Sequence, residues 1–144
     1  LTMADLFDKV SLPLLRRDLV DTPVFHGGPV QVERGFVLHE HSGEWDSTLS
    51  IAENTALTTS KDILESVAIG TGPKKMLLAL GYAGWTAGQL EQEIAANSWL
   101  SVQAKDGETL HKILFECKAE DKLNASLALL GVNPAMLSDV AGHA

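Results

Sequence analysis

Two glycine-rich turns and one arginine carry the clearest chemical capacity in this chain. The run from Gly81 through Tyr82, Gly84 and Trp85 to Gln89 lies between an apolar strand and a predicted helix. Free backbone N–H groups and the helix dipole at such a point favour an anion such as phosphate. The run matches neither G-x-G-x-x-G nor G-x-x-x-x-G-K-[ST]. Thr86 and Gln89 also have the spacing of a capping box, which would satisfy those donors internally. The competing reading is a turn that needs glycine for its backbone and Trp85 for packing. The second turn, His26-Gly27-Gly28-Pro29-Val30, precedes Arg34, whose guanidinium could hold a carboxylate, either that of Glu93 as an internal salt bridge or that of a ligand. Gly27, Gly28, Arg34, His39, Gly81, Tyr82, Gly84, Trp85 and Gln89 form the candidate ligand-binding set.

Other residue patterns offer less. His39 and His41 are two apart, so on one strand both imidazoles project to the same side, as a metal pair requires. No third ligand is fixed by spacing, and no metal or other cofactor is expected. Cys117 has His111 six residues upstream and no G-x-S-x-G or similar elbow near it, which points to a buried, inert thiol. Glu91 and Glu93 are two apart on a helix and do not face each other, so they read as a solvated face and not as an acid–base pair. Trp45, Trp85 and Trp99 read as core residues. No catalytic residue is assigned.

The elements that would position these groups alternate between helix and strand. Residues 1–10 read as a helix capped by Thr2 and Asp5, with Met3, Leu6, Phe7 and Val10 on one face. Residues 23–25 are short and extended. Residues 34–41 form a strand with Phe36 and Leu38 on one side and Val37, His39 and His41 on the other. Residues 47–51 read as brief β structure and 54–59 as a loop or irregular edge. A helix capped by Ser60 runs to Ile69 with Ile63, Leu64 and Val67 as its buried stripe. The apolar strand 76–80 follows as the organising element. Beyond it come a helix with Leu90 and Ile94 facing the core, and a strand opening at Trp99. A helix capped by Asp106 carries Leu110, Ile113 and Leu114, and residues 120–130 form another with Leu123, Leu127 and Leu130 in line. Asn133-Pro134 begins a last short turn. The class is α/β or α+β in a single compact domain spanning residues 1–144.

Composition narrows the function further. The chain has 144 residues, 45% hydrophobic, with 11 Lys and Arg against 19 Asp and Glu and a formal net charge of -8. DNA-backbone binding needs a basic stripe that releases counterions, and none is visible, so direct nucleic-acid binding is not expected. One cysteine permits no internal disulfide. No apolar run approaches the ~18 to 20 residues that span a bilayer, and no signal peptide is seen at the start as given, which points to a soluble cytoplasmic protein.

The segments HGGPVQVERGFVLH (26–39), GTGPKKMLLALGYAGWTAGQLEQEIAANSWL (70–100) and LGVNPAMLSDVAGHA at the end resemble the AlgH/YqgE family of bacterial proteins over nearly the whole chain. The resemblance implies a compact α/β fold with a bifurcated, partly barrel-like sheet flanked by helices. It also carries a loose label of transcriptional regulation of alginate production. Family members usually have about 40 further residues ahead of this point, strands that would join the sheet, and without them the sheet is expected to expose an unpaired edge. Where Leu123 stands the family commonly has a Trp. Residues and resemblance together lead to a non-enzymatic regulatory or adaptor protein acting on an unidentified protein partner. The alternative is a small-anion-binding protein or enzyme that uses the glycine turns and Arg34.

Overall fold

The computed structural model describes residues 1–131. By internal contact the chain divides into two compact units, Leu1–Gly84 and Trp85–Ala144.

The first unit is built on a five-stranded mixed sheet of order β1-β5-β2-β4-β3. Its strands are β1 (Phe25–His26), β2 (Val30–Glu40), β3 (Thr48–Ala52), β4 (Thr55–Thr58) and β5 (Met76–Tyr82). β1 runs parallel to β5, and every other neighbouring pair is antiparallel. The sheet is not closed into a barrel: β1 and β3 are its two margins and do not pair with each other.

Two helices, α1 (Met3–Lys9) and α2 (Asp62–Ala68), close one face. α1 begins as its sequence dictates, with Thr2 accepting from the Asp5 N–H and the Asp5 carboxylate accepting from the Thr2 N–H. Its buried residues Met3, Leu6 and Phe7 meet Ile63, Val67 and Ala68 of α2 and Val37 and Leu78 of the sheet in one apolar cluster. Burying each larger member of that cluster contributes about 1.5–3 kcal/mol, enough to fix which face of the sheet is inside.

Three expectations for this unit need correction. Residues 54–59 are not an irregular edge, because Thr55–Thr58 is an interior strand with Thr55, Ala56 and Thr58 buried. The alternation there is masked by two threonines whose hydroxyls are hydrogen-bonded in the interior. Ser60 does not cap α2. Its hydroxyl accepts from the Ser47 N–H (3.0 Å) and donates to Asp62 (2.5 Å), whose other oxygen accepts from the Asp46 N–H (2.7 Å). The pair ties the chain ahead of β3 to the start of α2. Thirdly, β2 begins at Val30, four residues before Arg34.

The second unit contains α3 (Gln89–Ala95), α4 (Gly107–His111), a π turn (Lys112–Glu116), a 3₁₀ turn (Ala119–Asp121) and α5 (Lys122–Ala128). Asp106 caps α4 by accepting from the Thr109 N–H at 2.7 Å. Lys122 donates from Nζ to the Ile113 and Leu114 carbonyls (2.8 and 2.5 Å), which the π turn leaves open. The predicted strand at Trp99 is absent, and residues 99–104 have no regular structure. Among the described residues no strand pairs with the β-prone residues there. α3 buries none of its residues, with Ile94 43% exposed, and in α5 Leu127 is buried while Leu123 is 65% exposed. An apolar stripe marks a face but is buried only where another surface meets it. The turn at Asn133-Pro134 lies outside the described residues. Among those described, no helix is long and apolar enough to cross a membrane.

Candidate functional site

The two glycine turns meet inside the first unit. The Gly27 N–H donates to the Leu80 carbonyl at 2.8 Å, and β1 aligns with β5 at Phe25–Ala79 and His26–Leu80. Just past this register the backbones press together. A Cβ on Gly27 would lie 2.3 Å from the Gly81 carbonyl oxygen, one on Gly28 2.2 Å from the Tyr82 carbonyl carbon, and one on Gly81 2.4 Å from the Gly28 carbonyl oxygen. Gly81 also has φ +78°, a conformation side chains disfavour. Glycine is required here because main chain packs on main chain, and the space an anion would need between the turns is filled.

That junction shapes the strand beside it. β2 pairs with β5 at Val30–Tyr82 and resumes at Gly35–Leu80, so residues 31–34 stand opposite Gly81 alone. The excess bows outward over Gly81, with Gln31 at φ 45°. Arg34 sits on this bow and not at a strand opening. Its Nη1 donates to Gln31 Oε1 at a long 3.4 Å, and its guanidinium lies 5.5 Å from the centre of the Phe36 ring. Phe36 in turn meets Tyr82 edge-to-face at 5.7 Å. Pro29, Gln31, Val32, Glu33 and Arg34 line a shallow, open concavity.

His39 lies elsewhere and is fully engaged. It is completely buried. Its Nδ1 is 2.7 Å from the Glu40 carbonyl oxygen, which can only accept, so Nδ1 carries the hydrogen. In the neutral ring Nε2 then accepts from the Thr58 hydroxyl at 2.8 Å. Thr58 accepts from Thr48 at 2.9 Å, and Thr48 accepts from the Trp45 N–H at 2.8 Å. With the ring neutral, the donor directions in the chain follow from the carbonyl at its end. Trp45 packs edge-to-face on His39 at 5.2 Å and donates its indole N–H to Ser66 at 3.0 Å. His41 falls beyond the end of β2 and is exposed, so the two histidines do not share a strand.

The remaining candidates behave differently. Gly84 ends the first unit, whereas Trp85 and Gln89 belong to the second. There Glu93 accepts from the indole N–H groups of Trp99 (2.7 Å) and Trp85 (3.0 Å) on Oε2 and from the Gln89 amide (3.1 Å) on Oε1. Those donors, Trp99 first, hold the Glu93 carboxyl below its ordinary value. Glu93 is thus held by indoles, and Trp85 and Trp99 are surface residues, not core. The Gln89 Oε1 accepts from the Thr86 N–H at 3.0 Å, the expected reach-back, although the helix itself starts only at Gln89. Cys117 is half-buried, and burial pushes the pKa of the Lys122 ammonium below its ordinary value. Sequence reading missed the Trp85–Glu93–Trp99 grouping and the hydroxyl chain on His39. Glu93 lies eight residues after one Trp and six before the other, a spacing that could have flagged the first. The second depends on strand pairing that no local pattern encodes.

Similarity to known proteins agrees with this architecture. A family model described as AlgH-like matches residues 1–135. The chain is 54% identical over 142 residues to the UPF0301 protein RSc0675 of Ralstonia nicotianae, covering 99% of this chain and 72% of that one. It is 51% identical over 144 residues to the UPF0301 protein Bpet0561 of Bordetella petrii, covering 100% and 69%. The solution structure of the AlgH protein from Pseudomonas aeruginosa superposes with a TM-score of 0.73 at 43% identity, over 96% of this chain and 70% of that one. With that extent of match in both sequence and fold, the chain belongs to the AlgH-like family.

Proposed function

We propose that the protein is a non-enzymatic regulatory or adaptor protein that acts by docking an extended segment of another protein along the margin of β3 that no described strand pairs. The observation that carries this reading is the character of that strand. β3 pairs on one side with β4, and no described strand lies on its other side. Its sequence, Thr-Leu-Ser-Ile-Ala, has no charge and no proline, with Leu49 63% and Ile51 49% exposed. β3 carries no lysine or proline, the residues that usually blunt such margins; its register shifts between Ser50 and Ala52, so an added strand gains main-chain hydrogen bonds chiefly along Thr48–Ser50. The opposite margin, β1, has only two residues and offers little to pair with. The acidic net charge favours a protein partner over nucleic acid.

A photo-crosslinking residue at Ser50, compared with one at exposed Leu15 as control, tests this in cells. The expected result is a discrete protein adduct at position 50 that is absent from the control and lost in Ile51→Lys at unchanged melting temperature. No adduct, or one indifferent to Ile51→Lys, would overturn it.

A second reading, binding of a small anion, draws its support from Arg34, whose exposed guanidinium is held, among the described residues, by Gln31 and the Phe36 face. Glu33 beside it opposes an anion. A saturable thermal stabilisation by phosphate or a small dicarboxylate, abolished in Arg34→Gln, would favour this alternative.

A further inference from the structure

The Trp85–Glu93–Trp99 grouping carries a second, independent proposal. The two indole rings meet edge-to-face with centroids 5.7 Å apart and planes at 66°, forming two walls of a corner. Trp85 is 38% and Trp99 50% exposed, so ring surface remains open to solvent. Both N–H edges converge on one oxygen of an ionised carboxylate. Donating to an anion pushes electron density into each indole and makes its faces more negative, which strengthens their attraction for a cation.

We propose that this corner binds a fully alkylated ammonium group, with Trp85 and Trp99 as its walls and Glu93 as its counter-charge. Lone-pair arithmetic selects that class of cation. A carboxylate offers about four acceptor positions. Oε2 takes two indole hydrogens and Oε1 takes the Gln89 amide, which leaves one. An arginine fork needs an acceptor on each oxygen, and Oε2 has none to give. A primary ammonium brings three N–H donors that water satisfies better than one remaining lone pair. An alkylated ammonium has no N–H to satisfy. It requires only aromatic surface and diffuse negative charge, and the corner supplies both. Because the walls are partly wet, binding is weak, with Kd on the order of 10 mM for the bare cation.

The grouping also joins the residues before and after α3, so its structural value must be separated from binding. The test uses the full chain, following the indole N–H signals of Trp85 and Trp99 by NMR. Tetramethylammonium chloride is titrated at constant ionic strength, with ammonium and guanidinium chloride as parallel series. Saturable movement of both signals with tetramethylammonium alone is expected, with Trp45 unmoved. Trp99→Phe should weaken the response and Glu93→Gln should weaken affinity at least threefold. Choline and a short peptide carrying trimethyllysine then separate the two sources of this chemistry. Equal affinities point to a small molecule, and a tighter peptide to an alkylated side chain. Linear, non-saturating shifts, equal shifts with ammonium, tighter binding of guanidinium, or full retention of the response in both variants would overturn the proposal. Its failure leaves the β3 margin untouched, since that strand belongs to the other unit.

Discussion

Glycine at position 81 illustrates how much a single residue type can decide. Two costs coincide there: a positive φ of 78° and a methyl position 2.4 Å from the Gly28 carbonyl oxygen. Gly70 shares the first cost, with φ +83°, but has nothing within 4 Å of the same methyl position. Gly70→Ala is therefore expected to lose about 1 kcal/mol from backbone strain alone, and Gly81→Ala more than about 3 kcal/mol, since main chain must move as well. Urea unfolding of the two variants measures the difference, and equal losses would show that the close approach carries no energy. The sequence made both turns legible as glycine-dependent. That they are the two halves of one junction was not legible, because the partner of each backbone lies more than 50 positions away. His39 shows the opposite failure. Its type suggested ligation, while its environment uses both ring nitrogens internally.

Elements follow the same division between local and distant causes. α1 starts where Thr2 and Asp5 predict and α4 where Asp106 predicts, because a cap needs only its own neighbours. β4 was read as an edge because pairing on both sides cannot be seen in four residues. Around α3, Glu93 is expected to govern the order of the residues on either side. Its carboxyl is held low by the Trp99 N–H first, then Trp85 and Gln89. A group depressed in the folded state contributes its stabilisation in full above its unfolded value and loses it as pH falls through the lower folded one. The indole signals of Trp85 and Trp99 should therefore stay constant on acidification past the ordinary glutamate range and move together below it. Glu93→Gln should remove that transition. A midpoint at or above the ordinary value would mean that the three hydrogen bonds do not persist in solution.

At the scale of the molecule, charge and sheet architecture set what the protein can meet. A net charge of -8 with scattered lysines and arginines disfavours the counterion release that drives association with a duplex. A labelled DNA duplex is expected to show no retardation at about 0.15 M salt, where the screening length is about 8 Å. Retention there would reveal a basic surface and overturn the expectation. Composition and helix–strand alternation were enough to identify an α/β body. The open sheet was not readable, because closure depends on which strands become margins.

β2 is anchored twice, at Val30 against Tyr82 and again from Gly35 onward, and the arc between the anchors belongs to neither register. It works as slack in the ladder. Residues can be gained or lost in that arc over evolutionary time without sliding Val37 and His39 off the inner face, so sequence novelty can collect beside Arg34 while the frame stays fixed.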